Sequence, residues 1–285
     1  MDDSKFVFFD GEIVSASSVP VDFRSRAFRF GDSLFESIKV VHSRPLFLDK
    51  HINRLLVSLP VLKMEPVVSI LQNDLTSYIE KLLRANRIFG ACRLRLTVFR
   101  DGSGFYMPET RNSHVIIESF QMESIEFDAG TKGLTVDLYT EIKKPINFLS
   151  GMKNGNAMIY VIASLWCKEN KVDDCIILNE SGNVCEATSS NIFIYRKNTL
   201  LTPSLEEGCV AGVMRETVIE KASEAGITVY DDTYITQNEL LSAEEIFLTN
   251  AIRGIQPVLA YKNKRYYSKI SKMLTGLINS EIIKK

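Results

Sequence analysis

Two residues in this chain have types and spacing that could do chemistry together. Lys153 sits in the loop Gly151-Met-Lys-Asn-Gly-Asn156, among small and polar neighbours. Glu186 sits in Val184-Cys-Glu-Ala-Thr-Ser-Ser190, a carboxylate among small residues. Between them lie a mixed apolar run from Met158 to Lys168, a strand-like Cys175-Ile-Ile-Leu178 and a turn at Glu180-Ser-Gly-Asn183. An amine and an acid placed this way could hold opposite ends of a small electrophilic ring. Alone, a lysine and a glutamate are more often surface charges, so the rest of the chain must supply what such a ring needs.

A ring carrying a phosphate needs an anion cup, and two stretches offer one. Gly208-Cys-Val-Ala-Gly212-Val-Met-Arg-Glu-Thr217 leads into a helix with Val218, Ile219 and Ala222 inward and Gly226 as its stop. Backbone N–H groups at a helix start have no intrahelical acceptor, and a preceding glycine lets an anion approach them. In the second stretch, the apolar strand Ile246-Phe-Leu248 runs into the hydroxyl of Thr249, the amide of Asn250 and the small Ala251. The Walker A and G-x-G-x-x-G patterns are absent, which lowers nucleotide readings.

The elements that must position these groups follow from periodicity. Phe6 to Phe9, Asp10-Gly11 and Ile13-Val14 read as a hairpin with a D-G turn. Arg24 to Gly31 reads as a basic-aromatic loop whose arginines are expected on a solvated face. Asp32 to Val41 fits helix or strand. Asp49 is expected to cap a helix from Lys50 to about Leu59, closed by Pro60, with Arg54 near the edge of its buried stripe. Val68 to Arg87 reads as a long amphipathic helix. Cys92 to Val98 alternates cleanly, with Leu94, Leu96 and Val98 on one face and Arg93, Arg95 and Thr97 on the other. Those two arginines would meet a carboxylate substrate or water. Val115 to Phe120 is a further strand. Glu123 to Gly133 is the best boundary, giving a small domain over 1–122, a linker over 123–133 and a larger domain over 134–285. In the latter, Leu134 to Tyr139 opens the strands, Ile159, Ile162, Ala163 and Trp166 line a helix, and Lys262 to Arg265 begins a basic, solvated helical end.

A chain of 285 residues suits two lobes, and 45% hydrophobic with 24% charged residues reads as an ordinary globular protein. A net charge of −1 draws it neither to nucleic acid nor to anionic lipid. No apolar run reaches the roughly 18 residues of a membrane span, and the first residues lack the pattern of a signal peptide. Five scattered cysteines point to reduced thiols in the cytoplasm, and the three histidines show no ligand spacing with them, so no metal is expected.

Several separated residues then coincide with one family. Phe30-Gly31-Asp32 with Phe35-Glu36, His51-x-x-Arg54-Leu55, Lys153-x-x-Asn156, Glu186-Ala-Thr-Ser-Ser-Asn191-Ile-Phe193, Gly212-Val-Met-Arg215, and Thr249-Asn250 with Pro257-Val258 occur in order. The chain resembles the fold-type IV (class IV) pyridoxal-phosphate enzymes: branched-chain aminotransferase, D-amino-acid aminotransferase and aminodeoxychorismate lyase. The resemblance covers nearly the whole chain. It implies a two-domain α/β fold, with a smaller N-terminal α/β domain and a larger C-terminal α/β domain built on a barrel-like sheet. It also implies a homodimer and pyridoxal 5'-phosphate as cofactor. By the same resemblance Lys153 holds the cofactor as a Schiff base, and Glu186 partners the pyridine nitrogen. The phosphate falls to Arg54, to Gly212 with the amides of Val213 and Met214, and to Thr249 or Asn250.

The reaction is less directly implied. Branched-chain aminotransferases of the family place a tyrosine after the asparagine that follows the lysine, whereas this chain has Asn156-Ala157. Ser37, after Phe35-Glu36, is similar to the threonine of the lyases. Transamination between an amino acid and a 2-oxo acid needs no further residue and is the first reading. Release of pyruvate and 4-aminobenzoate from aminodeoxychorismate is the alternative, and a non-catalytic phospho-ligand binder is a distant third. Ser37, Arg93 and Arg95 are expected at the substrate, with the arginines of the Arg24–Arg29 loop as further candidates for its carboxylates.

Overall fold

The computed structural model describes residues 4–19, 23–65, 75–128 and 132–284. The chain divides into two compact units. One holds the residues up to Ile125 together with Met152–Asn156; the other holds Glu126–Gly151 and everything from Ala157 onward.

The first unit is a six-stranded sheet in the order β2-β1-β6-β5-β3-β4. Its strands are β1 (Phe6–Phe9), β2 (Glu12–Ser15), β3 (Ser33–Val41), β4 (Arg44–Pro45), β5 (Ala91–Arg100) and β6 (Ser113–Met122). The ambiguous stretch from Asp32 is thus the strand β3, paired antiparallel with β5 along its whole length. Cross-strand pairing decides it, because β-branched and aromatic residues suit a pleated surface. One face, with Leu34, Ile38, Leu94, Leu96 and Val98, packs under helices α2 (Leu48–Val61) and α3 (Leu75–Ala85) through Leu55, Leu59, Ile79 and Leu82. The opposite face carries Phe35, Ser37, Arg93 and Arg95, all half-buried, because successive side chains of a strand point to opposite sides.

Three local expectations change. Arg24 to Gly31 is not simply a loop: Arg26–Phe30 form a short helix, α1, closed by Gly31 in the left-handed region at φ 63°. Arg26 is 4% exposed rather than solvated. It donates to Asp32 at 2.9 Å and to the carbonyls of Ser103 and Phe105, so it braces the loop after β5. Helix α2 starts at Leu48, with Phe47 as its cap and no side-chain capping bond. Asp49 lies in the first turn, where its charge still favours the helix dipole. Pro60 lies within the last turn instead of ending the helix. The expected helix from Val68 lies partly outside the described residues, which begin again at Leu75.

The second unit is a nine-stranded mixed sheet in the order β12-β11-β10-β13-β14-β7-β8-β9, with β15 paired to β14. The strands are β7 (Leu134–Lys144), β8 (Asp174–Asn179), β9 (Val184–Ala187), β10 (Asn191–Arg196), β11 (Thr199–Pro203), β12 (Thr228–Thr233), β13 (Glu245–Asn250), β14 (Gly254–Tyr261) and β15 (Lys264–Arg265). The sheet curls into a half-barrel, bringing β9 back against β10. Parallel pairing of β7 with β8 requires a crossover, and helix α4 (Met158–Asn170) supplies it. Helices α5 (Val213–Glu224), α6 (Gln237–Ser242) and α7 (Lys269–Lys284) complete the unit. Lys262 to Arg265 is a turn with the short β15, so the basic end becomes helical only at Lys269.

Candidate active site

Lys153 belongs to the first unit because its loop adds to β3. The Phe35 N–H donates to the Lys153 carbonyl at 2.9 Å, and the Gly155 N–H donates to the Ser33 carbonyl at 2.9 Å. Gly155 permits this approach, since a Cβ there would overlap the Ser33 hydroxyl and meet the Gly31 carbonyl at 2.8 Å. The loop thereby sets the Lys153 amine 4.6 Å from the centre of the Phe35 ring. Arg95 lies over the same ring at 4.0 Å. Arg93 donates to the Ser37 hydroxyl at 3.3 Å. Four of the sequence candidates, Ser37, Arg93, Arg95 and Lys153, are thus brought onto one sheet face.

Arg54 has a different setting. Glu36, 1% exposed on the helix-covered face of β3, accepts from Arg54 Nε at 2.7 Å, from Arg54 Nη2, and from His51 Nδ1 at 2.7 Å. Burial pushes the Glu36 carboxyl up, but the Arg54 charge and the hydrogen bonds from His51 and Arg54 outweigh it and leave the group below its ordinary range. Arg54 is therefore drawn toward the helix side of β3, while Lys153 sits with Phe35 on the other. The spacing of His51 and Arg54 on one helix signals that they share a neighbour; that the neighbour is Glu36 is a tertiary fact.

The second unit collects the remaining candidates. Glu186, 3% exposed on β9, accepts from Lys144 Nζ and from the Tyr160 hydroxyl at 2.6 Å on Oε1, and from the Val210 N–H at 2.9 Å on Oε2. A carboxylate offers about four acceptor positions. With three donors in place, Oε2 has one position left for a fourth. Burial, followed by the charge of Glu186, pushes the Tyr160 phenol up, so it donates as a neutral hydroxyl. Sequence reasoning missed Lys144 and Tyr160. Lys144 looks like half of an exposed Lys143-Lys144 pair at a strand end, and nothing in its neighbourhood announces a partner 42 residues away.

The residues expected to hold an anion lie where β10, β13 and α5 begin or end. Asn191 opens β10 opposite Thr249 at the end of β13. Asn191 donates to the Val210 carbonyl at 2.8 Å, and a Cβ on Gly212 would overlap its Oδ1. That contact fixes the start of α5, where Val213 and Met214 begin the helix and are both buried. Thr249 is 1% exposed, and its Oγ1 has no hydrogen-bond partner among the described residues. A buried hydroxyl without a partner is costly, and an anion oxygen would satisfy it. Asn250 is committed elsewhere: it donates to Ser190 and accepts from the backbone of Ile252 and Arg253. Arg215 is buried and donates to the carbonyls of Pro203 and Asp231, a bracing role.

One further cluster joins Cys167, Asp174 and Cys175, whose ligand atoms lie within 4.8 Å of one another. Burial pushes both thiols up, which opposes the thiolate form a metal requires.

Comparison with known proteins gives the class of enzyme to which this fold belongs: the pyridoxal-phosphate enzymes of the curled-sheet type. Residues 33–261 match the family Amino-transferase class IV. The chain belongs to that family. A D-alanine aminotransferase of Bacillus licheniformis is 26% identical over 267 residues, covering 88% of this chain and 87% of that one. An aminodeoxychorismate lyase of Bacillus subtilis is 26% identical over 276 residues, covering 95% and 92%. The crystal structure of a branched-chain aminotransferase from Thermoproteus uzoniensis with norvaline has the same fold, with a TM-score of 0.87 at 22% identity over 99% of this chain and 96% of that one. The chain is a class IV enzyme, aminotransferase or lyase, that works with pyridoxal 5'-phosphate. Among the described residues no helix is long and apolar enough to cross a membrane.

Proposed function

We propose that this enzyme is an aminotransferase, moving an amino group between an amino acid and a 2-oxo acid. The observation that carries the reading is Glu186: a buried acid held by a cation, a phenol and an N–H, with one acceptor position left on Oε2. A ring nitrogen bearing a proton is the donor such a position suits. When bound, the cofactor supplies an aldehyde for the amino group and a ring that accepts electron density from the substrate's Cα. Glu186 keeps the proton on the ring nitrogen. Thr249 Oγ1 and the N–H groups of Gly212, Val213 and Met214 would bind the cofactor's phosphate, and Arg54, held by Glu36, is the arginine assigned to that anion. Lys153, its amine set over the Phe35 ring, carries the cofactor and moves the Cα proton at Nζ. Ser37, Arg93 and Arg95 face the substrate.

Transamination needs only these groups, which puts it ahead of the lyase reaction. Ser37, in the place where the sequence pattern of the lyases has a hydroxyl, is what favours the second reading, release of pyruvate from aminodeoxychorismate. Incubating the purified enzyme with amino acids plus 2-oxoglutarate and, separately, with aminodeoxychorismate separates the two. Amino transfer to 2-oxoglutarate is the expected result; pyruvate from aminodeoxychorismate without any amino transfer would overturn it. We also propose a cytoplasmic homodimer, on the five free, buried thiols and on the exposed Phe105, Tyr106 and Met107 that offer the first unit an apolar patch.

A further inference from the structure

The pair formed by Glu36 and Arg54 has a third member, His51, that phosphate binding by itself does not call for. His51 and Arg54 lie one turn apart on α2, on the same side of the helix, and Glu36 of β3 meets both. Glu36 Oε1 accepts from Arg54 Nε at 2.7 Å, and Oε2 accepts from Arg54 Nη2 and from His51 Nδ1 at 2.7 Å. The contact with Arg54 is therefore side-on, through the Nε–Nη2 edge of the guanidinium. His51 is 0% exposed. A carboxylate oxygen only accepts, so the imidazole proton that faces it sits on Nδ1. The other ring nitrogen, Nε2, is buried with no partner among the described residues.

An arginine and a carboxylate can satisfy each other without a histidine, and burying a polar nitrogen that meets nothing is costly. What the ring supplies is orientation. A donor on Oε2 stops the Glu36 carboxylate from rotating, and a carboxylate held in one plane fixes the plane of the guanidinium it grips through two parallel bonds. The apolar neighbours of His51 on α2, Ile52, Leu55 and Leu59, belong to the buried core, where hydrogen bonds are stronger for want of competing water. With the side edge of Arg54 committed to Glu36, the end edge, Nη1 with Nη2, is the fork that suits two oxygens of a phosphate.

We propose that His51 is a positioning residue: acting through Glu36, it sets the Arg54 guanidinium in the orientation that binds the cofactor's phosphate. The inference rests on the assignment of Arg54 made above and deepens it. At metal sites, partners that orient a ligand residue in this way contribute about 10- to 100-fold to affinity. Removing one hydrogen bond of the relay places the expected effect near the lower of these.

Calorimetric binding of pyridoxamine 5'-phosphate and of pyridoxamine to the cofactor-free protein tests this. The two differ only in the phosphate, and neither condenses with a lysine, so the outcome does not depend on Lys153 or on which reaction is catalysed. The dissociation constant of pyridoxamine divided by that of its phosphate measures phosphate recognition. His51→Leu should lower this ratio about 10-fold and leave pyridoxamine binding unchanged. His51→Asn, whose amide can still donate to Glu36, should recover most of the ratio. Glu36→Asp keeps the charge but draws the carboxylate back by one methylene; it should lower the ratio in the same way, and it decides the matter if His51→Leu does not fold. Arg54→Met should lower the ratio at least as far. If Arg54→Met lowers it while His51→Leu and Glu36→Asp do not, or if both ligands weaken alike in those two variants, the proposal is overturned and the assignment of Arg54 stands. A ratio unchanged in Arg54→Met refutes that assignment, and the proposal with it.

Discussion

Replacing Lys144 with methionine takes the cation away from the Glu186 carboxylate and keeps most of the side chain's volume. The two residues are 4% and 3% exposed, so water cannot take over the lost interaction. Removing one partner of a buried ion pair costs about 3–5 kcal/mol, because the other charge stays buried and uncompensated. Glu186 retains the Tyr160 hydroxyl and the Val210 N–H, which places the expected loss at the lower end, about 3 kcal/mol. At 1.36 kcal/mol per decade, this is roughly a 150-fold fall in the ratio of folded to unfolded protein. Urea unfolding of the cofactor-free protein, followed by tryptophan fluorescence and far-UV circular dichroism, measures it. Trp166 lies on α4, the helix that also carries Tyr160, so the fluorescence reports on the affected unit. The double variant Lys144→Met with Glu186→Gln removes both charges and should recover most of the loss, since swapping a whole buried pair for uncharged groups is often close to neutral. A single-variant loss below about 1 kcal/mol, or a double variant less stable than both singles by their summed effects, would refute the view that this pair is coupled.

Two pH effects follow from the first unit. Glu36 has a folded pKa below its ordinary 4.5, because the Arg54 charge and the bonds from His51 and Arg54 overcome burial; its stabilisation is present above that pH and is lost as acid carries it through the lower folded value. Glu36→Gln should therefore lose stability less steeply with acid below pH 4.5, and an unchanged acid-unfolding curve by circular dichroism would contradict this. His114 is raised above its ordinary 6.5: burial lowers it, but hydrogen bonds to Asp10 and Asp101, and then their charges, outweigh that. Its contribution is complete below pH 6.5 and fades as the pH rises through the folded value, so His114→Gln should flatten the decline of the unfolding midpoint on the alkaline side. Equal slopes in the two proteins would count against that clamp.

Local pattern disclosed much of this molecule. The alternation in Cys92 to Val98 placed Arg93 and Arg95 on one face because the strand period is two, and the structure keeps both there with Ser37. Gly212 before a helix, and Thr249 at the end of an apolar strand, were legible for the same reason: each is the terminus of an element whose period can be read. Tertiary partnership was not legible. Arg26 looked solvated because its acceptors are the carbonyls of Ser103 and Phe105, far along the chain. Asp49 looked like a cap because the left-handed turn at Phe47, φ 54°, has no side-chain signature. Lys144 was passed over because a charged residue at a strand end is ordinarily wet, and only folding of β7 beside β8 and β9 brings it to Glu186.

We propose that Lys153, and no other lysine, carries the cofactor. Borohydride reduction of the purified yellow holoenzyme, followed by proteolysis and mass spectrometry, tests it most directly. The reduced pyridoxyl mass is expected on the peptide containing Lys153, and should be lost in Lys153→Ala. Finding that mass on Lys144, or an unmodified Lys153 in protein that has taken up the cofactor, would contradict it.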